Sequence, residues 1–150
     1  MASYPNSAGF PARLAIGFAA GFVATLVFHQ IALMLLASAG FVKATTYSMQ
    51  AVPPFGVPQV ISLSFWGGLW GMLLASIENR FPKGAGYWLA ALLFGAIGPT
   101  LVAWFVVAPL KGQPVAAGWE LPRMITGLII NGAWGIGTAL LIAAANRVRH

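Results

Sequence analysis

The chain has 150 residues, of which 59% are hydrophobic and only 7% are charged. A soluble domain carries about 25% charged residues, so this composition excludes a water-soluble globular protein and indicates a protein of the lipid bilayer. The net charge of +6 is dispersed along the chain and forms no single basic patch, which argues against a nucleic-acid partner. The absence of cysteine excludes disulfides, thiol chemistry and cysteine-ligated metals.

Four long apolar runs without any Lys, Arg, Asp or Glu cover most of the chain. They are Leu14–Leu36, Val60–Ile77, Tyr87–Val107 and Met124–Ala145. About 20 residues of helix, at about 1.5 Å rise per residue, cross a hydrocarbon layer roughly 30 Å thick. The runs therefore predict an all-α, membrane-embedded four-helix bundle that forms a single integral membrane domain over residues 1–150.

Small residues mark a contact face on the first two spans. Gly17 and Gly21 form a GxxxG motif in the first span, and Gly67, Gly71 and Ala75 continue the same spacing in the second. Aliphatic side chains gain nothing by leaving lipid for another helix, so small residues are what allows helices to pack closely. Two uses of these faces are open: tight packing within one monomer, or a spare face that makes a homo-oligomer or binds another membrane protein.

The connection between the first two spans, residues 40–59, contains the proline-rich stretch from Val52 to Pro58. Because proline fixes φ and the residues before it avoid the helical region, this loop should be extended and stiff. The connection from Pro109 to Pro122 has the same character. Both loops are interpreted as stiff external turns that set where the next span begins. The alternative is a lid folded over the mouth of the bundle.

Pro99 lies near the middle of the third span, after Ala91 and Gly95 at helical spacing. Its ring strikes the carbonyl group of Gly95 and its missing N–H leaves that carbonyl without a donor, so we expect a kink. Thr100 can bond a freed carbonyl, which is the usual repair in membrane helices. The kink is interpreted as structural, with a gating hinge as the alternative.

The fourth span repeats the second when the sequence is shifted by 64 residues. The shift aligns Pro58 with Pro122, Gly68 with Gly132, Trp70 with Trp134, and Gly71 with Gly135. Thr25-Leu26-Val27 of the first span likewise echoes Thr100-Leu101-Val102 of the third, although gaps are then needed. The chain is therefore interpreted as two repeated helical hairpins, against the alternative of chance similarity between apolar segments.

Few polar side chains lie inside the predicted spans. The candidate intramembrane polar site consists of His29, Gln30, Thr100 and Asn131. Counted from the middle of each span at about 1.5 Å per residue, three of them, all but Gln30, lie about 4–6 Å towards the outer side. Polar groups at one depth can meet, so we expect His29 to bridge helices by bonding Thr100, Asn131 or a tryptophan N–H.

An ionisable residue inside a membrane is functional by default, and a neutral histidine is the mildest case. A proton or small-solute path and a haem or chlorin ligand are therefore alternatives to the helix-bridging role of His29. A zinc site at His29 is not favoured, because no second ligand of the usual type lies near it. We expect no bound cofactor and no metal.

Basic residues next to the spans predict the orientation. Four spans place both termini on one side, which carries Arg13, Arg80, Lys83, Arg147 and Arg149. The opposite side carries Lys43, Lys111 and Arg123. By the positive-inside rule, five basic residues against three favour cytoplasmic termini.

The sequence offers no set of residues for catalysis. The two acidic residues, Glu78 and Glu120, lie outside the spans on opposite sides, so a paired-carboxylate mechanism is unavailable, and no Ser-His-Asp set or phosphate-binding loop is present. We expect a non-enzymatic module that packs against itself or a partner in the membrane. The alternative is a transporter or channel for a small solute or proton that uses the outer-half polar layer.

Two stretches of the sequence are distinctive. The first is Pro53-Pro54-Phe55-Gly56-Val57-Pro58-Gln59, followed by Phe65-Trp66-Gly67-Gly68-Leu69-Trp70-Gly71. The second is Pro99-Thr100-Leu101-Val102-Ala103-Trp104-Phe105, continuing to Pro109-Leu110-Lys111-Gly112. Over these stretches, which cover spans two to four, the chain resembles small uncharacterised four-span proteins of the bacterial inner membrane. The resemblance implies a four-helix protein of the bacterial inner (plasma) membrane and carries over no activity and no site residue.

Overall fold

A computed structural model describes residues 9–149. In this part of the chain, four long helices contain most of the regular structure: α1 Phe10–Ser38, α2 Gln59–Arg80, α3 Ala85–Leu110 and α4 Leu121–Val148. The only strands described are the two-residue pair β1, Ala51–Val52, and β2, Val57–Pro58. The prediction of an all-α protein with four long apolar helices is confirmed, and each helix is long and apolar enough to cross a membrane.

The helices extend beyond the apolar runs that predicted them. For example, α1 begins at Phe10 and α4 ends at Val148. The added residues include Arg13 and Arg147. A search for uncharged segments stops at these residues, although arginine is a good helix former. A long basic side chain near a helix end can reach the polar edge of a bilayer, so helix length and apolar length differ.

Helices α1 and α3 end in the same way, at the side where the two longer loops emerge. Gly40 and Gly112 follow the last turns with φ of +75° and +69°. In each case the glycine N–H bonds the carbonyl three residues back, and the next N–H bonds the carbonyl five residues back, at 2.8 to 3.0 Å. This is the Schellman arrangement, whose left-handed residue is usually glycine because glycine has no Cβ.

Helices α1 and α2 pack against each other through glycine. A methyl group added at Gly71 would overlap the carbonyl oxygen of Gly17, and one added at Gly21 would overlap the carbonyl oxygen of Gly67. The two backbones are therefore in direct contact, and a side chain at this crossing requires the backbone to move. The glycine motifs of the first two spans are used within the chain.

Helices α3 and α4 cross in an equivalent way. A methyl group added at Gly135 would overlap the carbonyl oxygen of Ala91, and one added at Gly95 would overlap that of Asn131. Gly71 and Gly135 are separated by the same 64 residues as the shift that aligns their spans. The two helix pairs thus touch at matching positions of α2 and α4.

The two helix pairs meet mainly through α1 and α4. The ring of Phe28 in α1 lies over Gly137 of α4, where a methyl group would overlap it. Helices α2 and α3 make a smaller contact, in which the Trp70 ring meets Phe94 edge to face, with 6.0 Å between ring centroids. The interior between the helices is built from small and aliphatic side chains: Ala20, Leu74, Ala75, Ala91, Ala139 and Ile142.

The loop between α1 and α2 is a small hairpin. Strand β1 pairs antiparallel with β2, and the Val60 N–H at the start of α2 donates to the Ser48 carbonyl at 3.0 Å. We call residues 40–58 the strap. The stretch predicted to be extended thus pairs with itself and is fixed to the beginning of α2.

The loop between α3 and α4 contains a left-handed turn. Ala116, Ala117 and Gly118 have φ of 49°, 54° and 69°. Left-handed backbone costs about 1–2 kcal/mol per residue that carries a Cβ. Complete burial of the Ala116 side chain, and the approach of the Trp119 ring to Phe105 at 6.3 Å between centroids, hold the turn against the end of α3.

Candidate functional site

Helix α1 widens in the half nearer the strap. Thr25–His29 form a π-helical turn, and the Gln30 N–H donates to the carbonyl of Thr25, five residues back. In a regular α-helix this N–H would bond the Leu26 carbonyl. The Leu26 carbonyl oxygen instead accepts the hydroxyl of Tyr47, from the strap, at 2.6 Å.

The side chain of Gln30 joins the strap to His29. Gln30 is 2% exposed, and its Oε1 accepts the backbone N–H of Tyr47 at 2.7 Å. Its Nε2 lies 3.2 Å from Nδ1 of His29, which is only partly buried. We call His29, Gln30 and Tyr47 the latch, because their contacts fasten the strap to the π-turn.

A second polar pair links α3 to α4. Asn131 Nδ2 donates to Oγ1 of Thr100 at 2.8 Å, and the Thr100 hydroxyl lies 3.4 Å from the carbonyl oxygen of Gly127. Thr100 is 1% exposed. The pair is therefore an interhelical contact inside the second helix pair.

The four residues predicted as one polar site form these two separate pairs. His29 meets Gln30 on its own helix, and Thr100 meets Asn131 across two helices. Gln30, adjacent to the π-turn, is the buried member of its pair, while His29 is the less covered one. In the described part of the chain, the hydrogen bonds of His29 do not include Thr100, Asn131 or an indole N–H.

A contact that the sequence did not specify joins the two helix pairs. The indole N–H of Trp134, a residue only 3% exposed, donates to the carbonyl oxygen of Gly21 at 3.1 Å. Its ring stacks on Phe94 with 6.4 Å between centroids. A buried indole N–H needs an acceptor, but only the fold reveals that a glycine of α1 provides it. Tyr47 was missed for the same reason, since nothing in a loop sequence indicates where the loop docks.

Apart from that of Thr100, the buried hydroxyl groups of the described residues are satisfied within their own helices. Thr25, Ser64, Thr126 and Thr138 each donate to the carbonyl four residues back, at 2.7 to 2.9 Å. Such back-bonding is the usual way in which Ser and Thr are accommodated inside a helix. These hydroxyls are therefore not presented towards a common binding site.

Pro99 lies inside the regular part of α3, beside Thr100. The helix then changes to a π-helical turn at Ala103–Val107. Proline and π-turns are both recognised causes of bends in helices. The predicted kink at Pro99 stays a prediction, now with a second irregularity one turn later in the same helix.

At the other end of the helices, away from the strap, polar contacts close the helix termini. Arg13 Nη2 donates to the carbonyl oxygen of Ala75 at 2.7 Å, a favourable position for a cation near the C-terminal end of a helix. The Tyr87 hydroxyl donates to Glu78. Within residues 9–149, no three His, Cys, Asp or Glu side chains gather closely enough to hold a metal ion.

Comparisons with protein-family models, with curated proteins and with solved structures gave no match to this chain.

Proposed function

We propose that this chain is a multi-pass integral membrane protein whose four helices cross the inner (plasma) membrane of a bacterium as a closely packed bundle, with both termini in the cytoplasm. Its role is that of a non-enzymatic module that packs against a second copy or another membrane protein. The observation that carries this proposal is the interior: backbone contacts at glycine fill it, and its hydroxyls are bonded within the chain.

The outward surface supports the membrane location. Large apolar side chains face away from the helix interior on all four helices, including Leu35 at 63% exposure, Trp66 at 58%, Leu89 at 55% and Ile129 at 45%. A water-soluble protein rarely exposes contiguous apolar surface of this extent. Lipid is the solvent that such a surface fits, because helices satisfy their own backbone hydrogen bonds there.

The matching crossings support an internal repeat. Gly71 of α2 lies against Gly17 and Gly21 of α1. In the same way, Gly135 of α4 lies against Ala91 and Gly95 of α3. Helices α1 and α3 also end in the same capping arrangement. We therefore interpret the protein as two helical hairpins of common design, joined through α1 and α4.

The surface available to a partner is the outward-facing side of the helices. The glycine faces are occupied inside the chain, so a partner would meet large side chains. On α2, Phe65, Trp66 and Leu69 face outward near the middle of the helix. An indole at that depth is too far from the membrane surface to act as an interfacial anchor. This face of α2 is the one that we expect to contact a partner.

Native mass measurement after extraction into nanodiscs tests the interaction role. The monomer has a mass of 15.7 kDa. The proposal predicts a homo-oligomer or a defined complex with another membrane protein, and predicts that Trp66→Leu weakens it while Leu89→Ala, on α3, does not. A strictly monomeric, partner-free species would contradict the proposal.

A transporter or channel for a small solute or proton is the second candidate. The observation that favours it is the Thr100–Asn131 pair beside Pro99 and the π-turn of α3, because π-turns are frequent at functional sites. Flux measurements on liposomes containing the protein test it. Asn131→Leu should abolish a flux that depends on this pair, and absence of flux in the wild-type protein across protons and small ions removes the candidate.

A further inference from the structure

We propose that the latch is a pH-responsive switch, in which protonation of His29 releases the strap from α1. The contacts involved lie within one chain, so the switch does not depend on a partner or on the second candidate function. Three groups make these contacts: the backbone N–H of Tyr47, the amide of Gln30 and the ring of His29.

The Tyr47 N–H fixes the orientation of the Gln30 amide. A backbone N–H can only donate, so the atom that it meets at 2.7 Å must be the amide oxygen Oε1. The NH₂ group of the same amide then faces Nδ1 of His29 at 3.2 Å. Because NH₂ can only donate, Nδ1 must accept, and His29 must be the neutral tautomer with its proton on Nε2.

Protonation makes these two contacts incompatible. The added proton goes to Nδ1, so that two donors face each other across 3.2 Å. If Gln30 turns its amide over, Oε1 can accept from Nδ1, but the NH₂ group then faces the Tyr47 N–H. One of the two hydrogen bonds is lost in either orientation. Since Gln30 is buried, the lost bond is not replaced by bulk water while the strap is in place.

The strap is attached to α1 by few polar contacts, so loss of one matters. Beyond the capping bonds of its first two residues, Gly40 and Phe41, the other hydrogen bond described between the strap and α1 runs from the Tyr47 hydroxyl to the Leu26 carbonyl. That bond involves the same residue and opens with it. The fastened strap therefore disfavours protonation of His29, whereas the released strap allows it. By linkage, a fall in pH shifts the equilibrium towards the released strap.

Few other ionisable groups face this region. Helices α2 and α4 pack against the π-turn and carry no ionisable side chain between residues 59 and 77 or between 124 and 145. Their charged residues lie towards the helix ends, at Glu78 and Arg80 on α2 and at Arg123 and Arg147 on α4. On α1 the other charged residue is Arg13, near the opposite end, and the strap carries Lys43 and Tyr47. Among the ionisable groups of the described residues named here, His29 is the one whose side chain contacts the Gln30 amide.

Distance measurements between two spin labels test the switch on the full chain. The protein has no cysteine, so Phe55→Cys in the strap and Leu121→Cys at the start of α4 give two defined labels. Both positions are well exposed, at 87% and 68%, and neither belongs to the latch. Between pH 8 and pH 4 we expect the fraction of molecules with a displaced strap to rise roughly fivefold to tenfold, the factor for losing one buried hydrogen bond.

Three variants make the result decisive. His29→Gln can still accept from Gln30 but does not titrate, so its strap should stay fastened at both pH values. Gln30→Leu removes the anchor, so its strap should be displaced at both. Tyr47→Phe loses only the hydroxyl bond and should keep the pH response. A wild-type strap that does not move with pH, an equal response in His29→Gln, or a retained response in Gln30→Leu would each overturn the proposal.

Discussion

Trp134 of α4 donates its indole N–H to the carbonyl oxygen of Gly21 in α1 at 3.1 Å. Gly21 is also the position at which the backbone of α2 crosses α1, against Gly67. Gly21 therefore contacts two helices. Its Cα, which carries no side chain, lies against the backbone of α2, and its carbonyl oxygen accepts the hydrogen bond from α4. This position links the first helix pair to the second.

Replacing Trp134 by phenylalanine should test that link. The ring stays apolar and can keep its stacking on Phe94. The carbonyl of Gly21 loses the indole donor and keeps only its donors from Thr25, so we expect a loss of about 1 kcal/mol in the free energy of unfolding. Thermal or denaturant unfolding in detergent measures it. Trp88→Phe on α3, at a position 38% exposed and away from the face expected to contact a partner, is the matched control and should change little. Equal losses in both variants would show that ring size alone matters.

Substitution of glycine by alanine should change the free energy of unfolding differently at Gly71, in the crossing of α1 and α2, and at Gly127, outside it. Gly71→Ala forces a methyl group onto the Gly17 carbonyl and should destabilise the protein by about 1–3 kcal/mol. At Gly127 an added methyl group meets its nearest atom at 3.6 Å, an ordinary contact. Gly127→Ala should therefore be neutral or up to about 1 kcal/mol more stable, because alanine favours the helix. Unfolding measurements on both variants check this, and a neutral Gly71→Ala would disprove the direct backbone contact.

The Thr100–Asn131 contact predicts energetic coupling between two helices. Thr100→Val and Asn131→Leu each remove one partner, and a double-mutant cycle should give about 0.6 kcal/mol of interaction energy, the average for such bonds in membrane proteins. Ser64→Ala combined with Asn131→Leu provides the comparison, because the Ser64 hydroxyl bonds its own helix in the other helix pair. That combination should be additive. Additivity in the first pair would remove the interhelical bond from the account.

The sequence specified the helices well because one physical property, the absence of charge over about 20 residues, identifies a helix long and apolar enough to cross a membrane. The 64-residue shift also identified Gly71 and Gly135, since close backbone contact has few solutions other than glycine. The polar site was specified less well. A π-turn inserts an extra residue into one turn, which changes the face on which each later side chain lies, and no periodicity of apolar residues reveals it.

The position of the strap was also beyond sequence reasoning. Its prolines indicated a stiff loop, but the docking of Tyr47 on α1 depends on a carbonyl group that only the π-turn makes available. Local stiffness can be inferred from residue types, whereas a contact between a loop and a distant helix requires the fold. The same limit applies to Arg13, whose acceptor is 62 residues away in the chain.

The most direct test of the central claim, four helices crossing a bilayer, is the labelling of single cysteines by a thiol reagent that cannot cross membranes. Phe55→Cys lies in the strap, Val148→Cys at the end of α4, and Leu69→Cys on the outward face of α2, with exposures of 87%, 88% and 37%. In intact cells we predict labelling at position 55 only, with position 148 reached after the membrane is made permeable. Position 69 should resist labelling in both conditions because it lies inside the membrane, covered by lipid or by the partner. Labelling at position 69 in permeable cells as rapid as at position 55, or labelling of positions 55 and 148 from the same side, would contradict the account.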